Sequence, residues 1–197
     1  MEVISLGGVG GSELSKILRT LNYPAYPYDW LVCNQSFVIN SFCDITKFFN
    51  LEDNSYIYQT NKFLHPTLGA VMLHGCNNYI LEKQDIINKY NRRFQRLYSK
   101  LENTESILFV RLMDNININI NGYEDIYIRE EESINKWNLF LNMLINKYNK
   151  KLYLLLITSD PTVTINNNIN ENIYLSHCET DITSAISNLY NKLNNNI

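Results

Sequence analysis

"INKWNLFLNMLINKYNKKLYLLLIT", residues 134–158, runs from a helical pattern into a strand pattern with almost nothing between them. Ile134, Trp137, Leu141, Leu144, Ile145 and Tyr148 recur at the spacing of a helix that buries one face, and this predicts a helix over about 130–149. "KLYLLLIT" (151–158) is then too continuously apolar for a strand with one wet face. Such a run belongs inside a sheet covered on both sides, the usual setting of parallel strands.

The same alternation extends outward in both directions. Val3–Leu6 reads as a buried strand, followed from Ser12 by Leu14, Ile17, Leu18 and Leu21 at helical spacing. Ser12 suits the N-cap of that helix and Glu13 its first turn. A helix over about 79–101, with Ile87, Tyr90, Phe94, Leu97 and Leu101 as its stripe, leads to the strand "SILFVRLM" (106–113). "NIYLSHC" (172–178) is a further strand, and Ile182, Ala185, Ile186, Leu189 and Leu193 mark a closing helix over about 180–193. A helix over about 35–49 carries Val38, Phe42, Ile45 and Phe49, whereas 50–78 reads as irregular, with short strands at 56–58 and 70–73. The pattern implies one α/β domain over 1–197: a three-layer, Rossmann-like, mostly parallel sheet with helices on both faces. The strand at 2–6 should have 106–112 and 151–157 beside it, with the Asn-rich 114–129 as a mobile loop or insertion. Ligands of such sheets gather beyond the carboxyl ends of the strands, here Gly7–Gly11, Arg111–Asp114, Thr158–Asp160 and Ser176–His177.

A net charge of −3 gives no pull toward nucleic acid or anionic membrane. The aromatic residues follow core periodicity, so no base-stacking platform is expected. No run approaches the length of a membrane span, and "MEVISL" lacks the basic start of a signal peptide. Cys33, Cys43, Cys76 and Cys178 form no C-x-x-C pair and are expected as reduced thiols of a cytoplasmic protein, with Cys33, Cys43 and Cys178 buried. The thirty asparagines among Ile, Lys and Tyr point to an AT-rich genome; a parasite, a bacterium or a large DNA virus would all fit.

"LGGVGGSEL" (6–14) asks whether its turn holds a phosphate. A Walker loop counted from Gly7 would need Gly and Lys where Ser12 and Glu13 stand. The dinucleotide pattern from Gly8 and Gly10 likewise meets Glu13 at its third glycine. Backbone amides at the helix start could still bind an anion, so Gly7, Gly8, Gly10, Gly11 and Ser12 are candidate ligand-binding residues. Glu13 would then be turned away or paired to a base such as Arg111. The competing reading gives these glycines only a sharp turn and close packing.

"ISLGGVGGSELSKILRTLNYPAYPYDWLV" (4–32) resembles the opening of a family of papain-like cysteine peptidase-type domains of unknown function. Its members typically open with Ser-Leu-Gly, two residues and Cys, then a helix and Pro-Phe-Asp-Trp. Ser5, Leu6 and Gly7 match, as does "PYDW" (27–30). "GAVMLHGCNN" (69–78) resembles the family's Gly-to-His segment, and "KYNRRFQRLYSKLENTESILFVR" (89–111) its Lys-Tyr-x-Arg-Arg helix and Phe-Val-Arg strand. The resemblance covers roughly the first 111 residues and implies a nucleophilic cysteine where this chain has Gly10. The usual acid after the His is also replaced, by Gly75. A papain-like fold would rest on an antiparallel sheet, against the parallel one that periodicity predicts.

His74 and Asp29 are the catalytic candidates: His74 lies in a matched segment just after the strand at 70–73, and Asp29 is either an orienting carboxylate near the glycine turn or a helix cap. Cys76, two residues beyond His74, could form a displaced Cys–His dyad. Lys89, Arg92, Arg93, Arg96 and Lys100 form a basic stripe whose default is a solvated face. Arg92, Arg93 and Arg111 also match the family pattern and could grip an anion. No metal-ligand spacing and no Gly-x-Ser-x-Gly elbow occurs, and no cofactor is implied. Three readings follow: a relative without the cysteine activity that acts by binding a small anionic ligand or a protein partner, a transferase or hydrolase holding phosphate or sulfate at the Gly7–Ser12 turn, and a structural interaction protein.

Overall fold

The computed structural model describes residues 1–8, 11–29, 31–44, 57–59, 62–65, 70–72, 79–113, 132–177 and 181–195. Four strands, β1 (Glu2–Gly8), β6 (Ser106–Leu112), β7 (Lys151–Thr158) and β8 (Ile173–His177), form one sheet in the order β1-β6-β7-β8. Every pairing in it is parallel. Helices α1 (Gly11–Thr20), α2 (Gln35–Cys43), α3 (Tyr79–Asn103), α4 (Ile134–Tyr148) and α5 (Ile182–Asn195) accompany it.

Alternation along each strand divides the core in two. Ile4, Leu6, Ile107, Phe109, Leu154 and Leu156 meet α2, α3 and α4 on one face. Val3, Leu108, Val110, Leu155 and Ile157 meet Leu14 and Leu18 of α1 and Ile186, Leu189 and Leu193 of α5 on the other. Burying each such side chain stabilises the fold by about 1.5–3 kcal/mol, and both stripes are those the sequence displays. The strand order follows the chain order, so crossovers of one hand must all lie over one face. The α3 and α4 crossovers do so, as does the segment between β7 and β8, whose Val163, Ile165 and Ile169 pack on the same cluster.

That last crossover carries no helix and is fastened by asparagines. The Asn170 amide donates to Asn138 Oδ1 (2.9 Å), and Asn170 Nδ2 donates to Asn142 Oδ1 (2.6 Å), both on α4. The tight passage from α4 to β7 has a local cause as well. Asn149 adopts a left-handed conformation (φ 52°) and its N–H closes on the Ile145 carbonyl, ending the helix in a C-cap.

Two sequence expectations are corrected here. The short strands expected at 56–58 and 70–73 are present as β3 (Ile57–Gln59) and β5 (Ala70–Met72), whereas β4 (Lys62–His65) and β2 (Leu31–Cys33) are unexpected. The four form a second, antiparallel sheet ordered β2-β5-β4-β3. Strands of three or four residues are too short to show a period. The helix expected over 35–49 ends at Cys43, because Asp44 is extended (φ −149°); Ile45 and Phe49 lie outside the described residues, as does 114–129. Among the described residues, no helix is long and apolar enough to cross a membrane.

Candidate functional site

The glycine turn is built around close packing. β1 continues through Gly8, which pairs with Leu112, and α1 opens at Gly11, so only residues 9 and 10 intervene. Gly7 (φ +71°) and Gly8 (φ +115°) hold conformations that side-chain-bearing residues rarely adopt. A Cβ on Gly8 would stand 2.1 Å from the Leu112 carbonyl oxygen, and one on Gly7 would stand 2.9 Å from Cys33 Sγ. Packing alone therefore requires both glycines. Gly11 and Ser12 form the first turn of α1, while Gly10 lies outside the described residues.

Beside this turn, Arg111 at the end of β6 is buried (1% exposed) and fully engaged. Its Nη1 donates to the Leu6 carbonyl (2.9 Å), its Nη2 to the Cys33 carbonyl (2.8 Å), and its Nε to Glu132 Oε1 (2.9 Å), which Nη2 also meets. The other Glu132 oxygen accepts from Trp137 Nε1 (3.0 Å), and the guanidinium lies 5.6 Å from the Trp137 ring centre. Burial works against the guanidinium's charge, but Glu132, with Cys33, outweighs it and leaves the Arg111 pKa raised. Glu132 is thus the carboxylate paired with Arg111, and the Glu13 side chain, expected to turn away or to pair with such a base, lies outside what is described. Gln35 adds a second tie to the same corner, donating to the Ser133 carbonyl (2.8 Å) and accepting from its N–H (2.9 Å).

Asp29 belongs to a different network. It is fully buried, and accepts from Ser15 Oγ (3.2 Å), the Tyr26 N–H (2.8 Å) and Arg19. Burial nonetheless pushes its carboxyl upward. Arg93 donates to its carbonyl, and Arg96 to that of Ala25, while Lys100 pairs with Glu2. The basic stripe of α3 is therefore no simple solvated face: three of its members clamp the Tyr23–Asp29 passage and the N-terminus. Arg92 is exposed. The structure thus brings Asp29 and Arg93 together and commits Arg111 elsewhere; His74, Cys76 and Cys178 lie outside the described residues.

A cavity of about 730 Å³ opens at the carboxyl ends of β6 and β7, where α/β sheets hold ligands. Met113 follows the end of β6 and Thr158 ends β7, Glu132 and Ser133 rim it just before α4, and Asp160 and Thr162 begin its far wall. Sequence reasoning named the strand ends. It missed Glu132 and Gln35, at or just before helix starts, and the wall residues beyond Asp160, because periodicity marks buried faces and not polar partners.

The chain's first 146 residues match the family model described as Putative papain-like cysteine peptidase (DUF1796). The chain belongs to this family. No curated protein and no solved structure matches it. For this family member the principal sheet is parallel, as the periodicity implied. Its two described cysteines differ in setting: Cys33 is buried, and Cys43, expected inside, is exposed at the end of α2. Cys33 Sγ lies 3.8 Å from the Leu6 carbonyl and 3.7 Å from Arg111 Nη1. Burial pushes its thiol up, against the pull of Arg111 and the Gly8 amide.

Proposed function

We propose that this member of the family acts by binding and uses no cysteine nucleophile. The observation that carries the reading is Cys33. It is the described cysteine that touches the glycine turn, yet it is 3% exposed with its thiol held protonated by burial. Nucleophilic cysteines need both access and an easily formed thiolate. At the position where the family resemblance expects the nucleophile, Gly10 offers no side chain. The second reading, a transferase or hydrolase with phosphate or sulfate at Gly7–Ser12, draws on the strand–turn–helix geometry that aims amides at a helix start. It is the weaker one, because the donors of Arg111 are engaged within the fold. A structural interaction protein is weaker still, given a cavity at the ligand-binding end of the sheet.

The test is labelling with an equimolar iodoacetamide probe at neutral pH, read by peptide mass spectrometry. Slow, unselective labelling is expected. Rapid labelling of one site, above all Cys76, would overturn the reading and revive a Cys–His dyad with His74.

A further inference from the structure

We infer that the cavity at the carboxyl ends of β6 and β7 binds an uncharged, hydroxyl-rich ligand of sugar or polyol chemistry. The inference rests on the binding reading above and concerns what is bound. The volume, about 730 Å³, lies within the ordinary range for small-molecule sites.

Charge excludes one ligand class. The described lining contains two carboxylates, Glu132 and Asp160, and no Lys or Arg. Phosphate or sulfate would find no cationic side chain among the described lining residues to offset its charge. Amines are disfavoured for a different reason. Both oxygens of Glu132 already accept, from Arg111 and Trp137. Asp160 is partly exposed to solvent, which screens its charge, and its Oδ1 accepts the Thr162 N–H (2.8 Å) and hydroxyl (2.7 Å). No desolvated carboxylate is left to hold an ammonium group.

What the wall does offer is neutral and amphipathic. Thr158, Ser159, Thr162 and Thr164 contribute hydroxyls, and Asn135 and Asn166 amides. Thr158 Oγ1 already accepts the Asp160 N–H (3.0 Å), Thr162 Oγ1 donates to Asp160 (2.7 Å) and Asn166 Oδ1 accepts the Asn168 N–H (3.1 Å). The remaining lone pairs and amide N–H groups give a neutral wall with both donors and acceptors. Met113, Ile134, Val163 and Ile169 add apolar surface. A pyranose has the same duality, with a rim of hydroxyls around apolar C–H faces. Burying that face while its hydroxyls exchange water for these partners is the form of recognition this lining supports.

The experiment titrates the full chain with glucose, galactose, N-acetylglucosamine, glucose 6-phosphate and putrescine, following amide shifts by heteronuclear NMR. At least one neutral sugar is expected to shift amides of 132–135 and 158–166 at millimolar concentration. Its phosphorylated form and putrescine should bind at least tenfold more weakly. Thr164→Val and Asn135→Ala, both at exposed positions, should each weaken the sugar several-fold with the remaining spectrum unchanged. Tighter binding of the phosphate or the diamine would overturn the inference, as would no sugar response or shifts confined to other residues. The thiol assay above reads a different part of the chain, so either result can fail without the other.

Discussion

Replacing Arg111 by Met should cost this domain a large part of its stability. The methionine keeps most of the aliphatic stem and removes the guanidinium. Glu132 is then left with Trp137 as its remaining partner, the Cys33 carbonyl loses the guanidinium donor, and the Leu6 carbonyl keeps only the weak Cys33 thiol of the two donors described for it. Breaking a buried ion pair from one side costs about 3–5 kcal/mol, and each dry acceptor about 1–3 kcal/mol. These penalties overlap, so the expected loss is about 4–7 kcal/mol, set against about 5–15 kcal/mol for a whole domain. In Tm this is a fall of roughly 10–25 °C for a chain of this size. Urea unfolding followed by tryptophan fluorescence suits the measurement, because Trp137 stacks near the guanidinium. Arg111→Lys should recover little, since one ammonium cannot span two carbonyls and a carboxylate as the planar fork does. Arg111→Met combined with Glu132→Leu should recover part of the loss by removing the orphaned charge. A single Arg111→Met variant within about 1 kcal/mol of wild type would refute this account.

Gly8→Ala should destabilise by about 2–5 kcal/mol, combining a disfavoured φ with a Cβ driven into the Leu112 carbonyl. Gly7→Ala should cost less, because its nearest obstacle is a side-chain sulfur; equal unfolding midpoints for the two would contradict this. Burial raises the Tyr26 and Tyr28 hydroxyls well above the usual value of 10.0, and burial with Tyr190 takes Tyr23 to about 12. A raised folded pKa gives stability that is complete below the unfolded value and lost as pH climbs through the folded one. Absorbance at 295 nm should therefore show these tyrosines ionising only as circular dichroism reports alkaline unfolding, and full ionisation before any loss of structure would count against their burial.

Periodicity made the parallel sheet readable, since every strand and helix in it is long enough to display its spacing. Leu108 and Phe109 point to opposite faces simply because they are neighbours on a strand, and the helices supply complementary stripes. The second sheet was hidden for the same reason in reverse: "LVC" and "KFLH" are too brief for alternation to register. At the site, the place of Arg111 at a strand end was legible, but its work was not. Its carboxylate partner lies 21 residues later, beyond the Asn-rich segment, and nothing local marks Glu132 out from Glu130 or Glu131. Asp29 was legible as a motif residue, whereas its partners Ser15 and Arg19 show themselves only once α1 is folded.

Arg111 also joins two pieces of architecture that share no strand pairing. Its grip on the Cys33 carbonyl holds the end of β2, and with it the antiparallel sheet, while its grip on Glu132 holds the cavity rim. The antiparallel sheet cannot tilt on the parallel one without rupturing the first bond or dragging the second. Mechanically this residue is a rivet through both plates, and a load applied to the small plate is delivered at the mouth of the cavity.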